Sequence, residues 1–345
     1  MLSERIRRAR VLKRMTLQEM ADAMGVTRQA ISKFETGKDT PNSTRLIQIS
    51  KLLGVKPEYF FRPCSVKLGD VEFRKQATLS GKDRDSILEQ TRDSLERYLT
   101  LESFFESEDL PRSFSLKSHY PVNTYDDAEK AAEQLRKLWH SGFDSIENLT
   151  ELLEYQGLKV VSLDAPEKFD GLSATVDSHS VVILNKNRPG DRQRFTAAHE
   201  LGHLVMNISP DLDEEKACHR FAGAFLFPSE CVKREFGKKR SKIHIIELAS
   251  LKEKYGISMQ VAIRRALDQG VLTESGYKSM MFLFSKSGYR AREPGPQLPP
   301  EHPERFCRLA YRALAEGVIS PSKAAELLHV PQGHLGKVSL SLPEA

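Results

Sequence analysis

Several features that would narrow the class of this chain are missing from its sequence. Its four cysteines, Cys64, Cys218, Cys231 and Cys307, never fall at C-x-x-C spacing. That spacing argues against a disulfide framework or a zinc ribbon, and for reduced thiols. No apolar run approaches the roughly 18 residues that a spanning helix needs, so no membrane association is expected. The opening Met1-Leu2-Ser3-Glu4-Arg5-Ile6-Arg7-Arg8 carries charge without a following apolar stretch, unlike a secretory signal. The expected location is the cytoplasm. Internal repeats and low-complexity tracts are also lacking. What is present is an ordinary globular composition, 39% hydrophobic and 29% charged over 345 residues. That length suits two or three domains with real cores.

Excess positive charge is confined to one region. The formal net charge is +5, yet residues 1–62 hold thirteen Lys/Arg against six Asp/Glu, an excess of +7, while the remainder holds 39 against 41. A small basic domain joined to a near-neutral body points to a polyanion such as DNA as the partner of that domain alone.

Apolar spacing predicts helices over about 3–14, 17–24, 28–36 and 43–53, with Pro57 opening a turn through Phe61 and Arg62-Pro63 marking a boundary. A turn-rich stretch with an extended segment at 66–74 leads to an amphipathic helix over 85–107. Helices at 126–140 and 145–156 precede three β-rich segments at 158–163, 172–176 and 180–184, with Asp177-Ser178-His179 as the turn between the last two. Further helices are expected at 191–207, 213–226, 242–255, 258–268 and 273–285. Glu293 to Pro300 reads as a stiff linker. A terminal helical pair at 302–317 and 320–329 reads as a small helical partner or dimer surface, and the end beyond it as frayed.

The segment from Thr16 to Gly37 has the logic of a helix-turn-helix. Thr16 and Glu19 can form a capping box, Ala21 is small where two helices approach, and Gly25 permits a left-handed turn. Val26 and Ile31 plug the space between the helices. Thr27 caps the second helix and leaves Arg28, Gln29, Ser32 and Lys33 near its exposed start, the part that reads base edges in a major groove. Gln18 and Lys38 are candidates for phosphate contact. A helical bundle that binds protein is the alternative for this segment. Ile31-Ser32, Glu35, Gly37 and Pro41 resemble the XRE-type helix-turn-helix family, and the resemblance implies a structural pair between Arg10 and Glu35.

The second motif is Arg194-Phe195-Thr196-Ala197-Ala198-His199-Glu200-Leu201-Gly202-His203. His199 and His203 lie four apart, so on a helix they share one face and can bind one metal ion, with Glu200 beside them as a general base. Gly202 leaves room for backbone or substrate to approach. A third ligand is needed, and the next helix offers Asp211, Asp213, Glu214, Glu215 and His219. Glu215 and His219 are one turn apart, and either can face the metal. Here residues from about 160 to 230 resemble the ImmA/IrrE-type metallopeptidases: a strand pair, R-F-T-x-A-H-E-x-x-H, then E-x-x-A-x-x-F-A and a proline. The resemblance extends to Gly256-Ile257-Ser258-Met259-Gln260-Val261-Ala262, Arg264-Arg265 and Glu293-Pro294-Gly295. It implies Zn2+ as cofactor, with His199, His203 and Glu215 as ligands and Glu200 as the catalytic residue. His219 is then expected behind the ligands or facing substrate, and Cys218, where alanine is usual, is not read as a ligand.

The expected fold class is mostly α with a small β-sheet (α+β). An all-α helix-turn-helix domain at 1–62 is followed by a linker and connecting helix at 63–120. A zincin-like metallopeptidase domain at 121–290 and a C-terminal helical region at 291–345 complete the chain. The expected function is a DNA-binding regulator carrying a zinc endopeptidase that cleaves a specific protein, such as a transcriptional repressor, in a stress response. The alternative is a transcriptional regulator or antitoxin-like module with a non-catalytic metal-binding sensor domain. A homodimer is a further expectation.

Overall fold

The computed structural model describes every residue except 65, 67–78, 107, 109, 111–113, 117, 177, 178 and 336–345. The expected extended segment at 66–74, the turn at Asp177-Ser178 and the frayed end lie largely outside the described residues. In chain order the first helices are α1 (Leu2–Leu12), α2 (Leu17–Met24), α3 (Arg28–Thr36), α4 (Ser43–Leu53) and α5 (Gly81–Glu102). Strand β1 (Tyr120–Val122), α6 (Tyr125–Leu138), α7 (Leu149–Tyr155), β2 (Lys159–Leu163), β3 (Gly171–Val176) and β4 (His179–Asn185) follow. Then come α8 (Gly190–Val205), β5 (Met206–Ile208), α9 (Glu214–Leu226), α10 (Ser229–Phe236), α11 (Ile245–Tyr255) and α12 (Met259–Asp268). The chain closes with α13 (Glu274–Lys286), α14 (Arg305–Ala315) and α15 (Pro321–Leu327). The fold is α+β, dominated by helix. It divides into two compact units, one of Met1–Leu110 with Phe306–Ala345 and one of Pro111–Arg305.

In the first unit, α1 to α4 close around Ile6, Met20, Ala21, Ile31, Ile49 and Phe60, all fully buried. Local chemistry sets the turns. Thr16 Oγ1 accepts from Glu19 N at 3.1 Å while Thr16 N donates to Glu19 Oε2 at 2.6 Å, the reciprocal capping box. Gly25 ends α2 with φ +62°, and Thr27 Oγ1 accepts from Ala30 N at 3.2 Å to start α3. Arg10 grips Glu35 with two bonds of 2.6 and 2.8 Å and also donates to Met15 O, which ties the ends of α1 and α3 together.

The basic excess of this region is partly consumed inside the unit. Arg5 and Arg8 converge on Glu96 of α5 at 2.7 and 2.9 Å, Arg14 pairs with Asp83, and Arg62 reaches Glu326 at 2.7 Å. Among the described residues four of the thirteen cations thus have acidic partners outside residues 1–62, so the segment's charge count overstates what is free for a polyanion. The apolar face of the C-terminal pair is consumed likewise. Leu309, Ala310, Ala313, Ile319, Ala324 and Leu327 bury against Leu101 of α5, so that face is a partner surface for α5 itself.

The second unit is built on a three-stranded sheet of order β2-β4-β3. β2 runs parallel to β4, starting at Lys159↔Val181, and β3 runs antiparallel to it, from Gly171↔Leu184. β4 is central and buried from Ser180 to Asn185, as its apolar run requires. α8 leaves the end of β4 and packs on β3 and β4. A second, two-stranded parallel ladder joins β1 to β5. The stretch expected as a linker is pinned to this unit. Glu293 accepts from Lys252 Nζ and Met259 N, both at 3.0 Å, and from Gln260 N at 3.1 Å, so a side chain from the Pro-rich segment caps α12. Glu301 does the same for α7, through Leu149 N and Thr150 N.

Candidate metal centre

α8 presents His199 and His203 one turn apart on one face, with ring centroids 4.8 Å apart and the two Nε2 atoms at 3.1 Å. α9 supplies the third group. Asp213 caps this helix by accepting from Lys216 N at 3.1 Å, which puts Glu214 and Glu215 in the first turn, where the helix dipole favours carboxylates. Glu215 Oε2 lies 3.2 Å from His199 Nε2, and its Oε1 lies 3.5 Å from His203 Nε2. One ligand atom from each of these three residues lies within 4.8 Å of the other two, and among the described residues no fourth His, Cys, Asp or Glu joins the group. Ligand atoms placed tetrahedrally at 2.0–2.1 Å from an ion sit about 3.3–3.4 Å apart. The two Nε2 atoms, 3.1 Å apart, and the Glu215 oxygens, Oε2 at 3.2 Å from His199 Nε2 and Oε1 at 3.5 Å from His203 Nε2, lie near that edge length. Two imidazoles and a carboxylate are also the donor types of a catalytic zinc site, so the residues fit the ion.

The packing beneath the site explains its compactness. A Cβ on Gly202 would come within 3.1 Å of the Phe221 ring and 3.3 Å of Met206 Cε. The room expected there for backbone or substrate is therefore filled by α9, and Gly202 lets α9 approach α8 closely enough to deliver Glu215. Glu129 of α6 is buried and receives Arg265 at 2.7 Å and Arg220 at 2.5 Å, so α9 and α12 are bolted to α6 through one carboxylate. Burial alone would raise the Glu129 pKa; the two guanidiniums outweigh it and hold the carboxyl below its ordinary range.

Around the three groups stand four further side chains. Glu200 accepts from Ser173 Oγ of β3 at 2.8 Å through its Oε2. His203 Nδ1 meets Glu214 Oε1 at 2.8 Å and Cys218 Sγ at 3.3 Å. Cys218 thus contacts the nitrogen of His203 that faces away from His199. The His219 ring stacks on Phe195 and sits 4.6 Å from that of His199, outside the ligand group. Burial and the neighbouring His199 push the His219 imidazole below the ordinary histidine range. Ser173 has no signature in the sequence, because only the pairing of β3 with β4 and the seat of α8 bring it to Glu200. Glu214 stands out in the sequence only as one of several acidic residues around the start of α9.

In the first unit the residues expected at DNA lie along the start of α3 and beside it. Gln18, Thr27, Arg28, Gln29, Lys33 and Lys38 are exposed, and Ser32 is half-buried. The Gln18 amide donates to Asp22 at 2.7 Å, within its own helix. No helix among the described residues is long and apolar enough to cross a membrane.

Comparison with known proteins divides the chain in the same order. Residues 6–60 match the family model described as Helix-turn-helix, and residues 153–267 match the one described as IrrE N-terminal-like domain. The chain is 37% identical over 62 residues to a SPbeta prophage-derived uncharacterized HTH-type transcriptional regulator, YonR, of Bacillus subtilis, a match covering 18% of this chain and 57% of that protein. It is 39% identical over 62 residues to the uncharacterized HTH-type transcriptional regulator YqaE of the same organism, covering 18% and 53%. A third, y4wC of Sinorhizobium fredii, also an uncharacterized HTH-type transcriptional regulator, is 38% identical over 71 residues, covering 21% and 50%. The chain spans about half the length of the curated relatives it matches. It therefore combines an XRE-type helix-turn-helix domain with a second domain of the ImmA/IrrE-like, metallopeptidase-type family.

Proposed function

We propose that this protein is a DNA-binding regulator whose second unit is a zinc-dependent endopeptidase acting on a specific protein, such as a transcriptional repressor. The observation that supports it most is the convergence of His199, His203 and Glu215, with ligand atoms within 4.8 Å of one another, and Glu200 next to His199 in sequence but not in the group. A structural zinc site needs no adjacent base and takes four protein ligands, whereas a catalytic one takes three and keeps a position for water.

A divalent cation held by these three residues supplies Lewis acidity toward a scissile carbonyl and toward water. The chain's own groups do the rest. Ser173 engages Glu200 Oε2, which leaves Oε1 to take the proton of the attacking water and return it to the leaving amine. Among the described residues β3 pairs with β4 on one side only, so an extended substrate adds along its outer edge, beside Ser173. Through the exposed start of α3, the first unit brings the peptidase to its operator.

The test uses the full chain. Metal analysis is followed by incubation with candidate repressors, with and without chelator. Glu200→Gln should bind zinc at wild-type stoichiometry and cleave nothing; full cleavage by that variant would sink the role of Glu200. Zinc binding without cleavage of any candidate, and with unchanged metal content in Glu200→Gln, favours the sensor reading, in which the metal domain only regulates.

A further inference from the structure

The two histidines of the centre differ in what their outer nitrogens meet. His203 Nδ1 lies 2.8 Å from Glu214 Oε1. The buried Nδ1 of His199 has no hydrogen-bond partner among the described residues. A carboxylate oxygen at that distance can accept from Nδ1–H, with Cys218 Sγ on the same nitrogen at 3.3 Å, and a His203 that donates there keeps its lone pair on Nε2. That nitrogen is the one facing His199 and Glu215. Consecutive residues on a helix point about 100° apart. The first turn of α9 can therefore send Glu215 to the front of the centre and Glu214 to the back of His203. The Asp213 cap fixes the start of that turn.

We propose that Glu214 is a positioning residue for the metal centre. It holds His203 in the metal-binding tautomer and strengthens it as a ligand, so the centre's affinity depends on a fourth side chain that never touches the ion. Among the described residues His199 Nδ1 has no equivalent partner, so the brace falls on His203 alone of the two imidazoles. The inference rests on the metal-binding part of the proposed function and not on hydrolysis.

Zinc affinity of the full-length protein, measured by competition with a chromophoric chelator, tests it. Losing the acceptor behind a metal-bound histidine typically weakens metal binding about 10- to 100-fold, and Glu214→Ala should fall in that range. Glu214→Gln keeps an acceptor for Nδ1 and should lose only about a few-fold. Asp211→Ala removes an exposed carboxylate close by in sequence and should stay within about twofold of wild type, separating a specific hydrogen bond from a general charge effect. In the metal-free protein, nitrogen chemical shifts should report His203 protonated at Nδ1 in the wild type and a tautomer mixture in Glu214→Ala. An unchanged zinc affinity and an unchanged tautomer in Glu214→Ala overturn the proposal while leaving the centre intact. A wild-type chain that binds no zinc overturns the centre itself.

Discussion

Ser173 on β3 donates its hydroxyl to Glu200 on α8 at 2.8 Å, so the carboxylate beside the candidate metal centre is steadied from the sheet and not from its own helix. Gly171, two residues earlier, lets the strand lie against α8: a Cβ there would come within 2.6 Å of Thr196. Removing the hydroxyl frees Glu200 without altering the three ligands. Ser173→Ala should keep its zinc and lose about 10- to 100-fold in cleavage rate, and Ser173→Thr should recover much of it. Metal analysis beside single-turnover cleavage of an identified substrate separates the two effects.

Gly202 separates packing from chemistry at the same centre. A methyl group there would sit 3.1 Å from the Phe221 ring and 3.3 Å from Met206 Cε, so the ring or the thioether must give by a few tenths of an ångström. Gly202→Ala should destabilise the second unit by about 1–3 kcal/mol, the usual cost of overpacking. Because the displaced helix carries Glu215, zinc affinity should fall as well. A variant that unfolds at the wild-type urea midpoint and binds zinc normally would show that α9 can shift without moving its carboxylate.

Much of this architecture is legible in sequence where the determining interaction is local. The capping box of Thr16 and Glu19, the left-handed Gly25 and the four-residue spacing of His199 and His203 are each complete within one or two helical turns. The three strands of the main sheet stand out because β4 carries the apolar run Val181-Val182-Ile183-Leu184 and its neighbours are short segments bounded by turn residues. The parallel pair β1 and β5 does not, since three residues are too few for an alternation, and α8 runs straight into β5. α10 is hidden between Pro228 and Gly237, which read as loop punctuation although the helix fits between them. Glu293 reads as part of a linker because its partners, Lys252 and the start of α12, lie more than thirty residues away in the chain.

Glu129 makes the second unit sensitive to acid. Its folded pKa is depressed, so its contribution to stability is complete above the ordinary glutamate value and is lost as the pH falls through the lowered one. Glu129→Gln leaves Arg265 and Arg220 facing a neutral amide and should cost about 3 kcal/mol at pH 7. The gap between variant and wild type should narrow steadily below the normal glutamate range, as the wild-type carboxyl protonates. Urea unfolding at a series of pH values from neutral to acid reads both effects. A gap that stays constant on acidification would mean the carboxylate charge is not what holds Arg265.

The cations of the first unit fall into two groups with opposite predicted behaviour. Arg10 is committed to Glu35, and Arg5 and Arg8 to Glu96, all with little exposure. Substituting Arg10 by alanine strands a largely buried carboxylate and should destabilise the domain by about 3 kcal/mol, with DNA affinity falling only as the folded fraction does. Arg28, Lys33 and Lys38 are exposed at and beside α3 and add little to stability. Replacing Lys38 by alanine should leave unfolding unchanged and, for the phosphate no longer neutralised, reduce the slope of log affinity against log salt by about 0.9, while Lys33→Ala, near the start of α3, should weaken binding to operator more than to scrambled duplex. Arg28→Ala should instead cost about 1–3 kcal/mol of binding and relax sequence preference, as expected for a side chain at a base edge. Fluorescence anisotropy on operator and scrambled duplexes across a salt series distinguishes these outcomes. A salt slope unchanged in all three variants would place the nucleic-acid surface elsewhere, or leave the helical bundle with a protein as its partner.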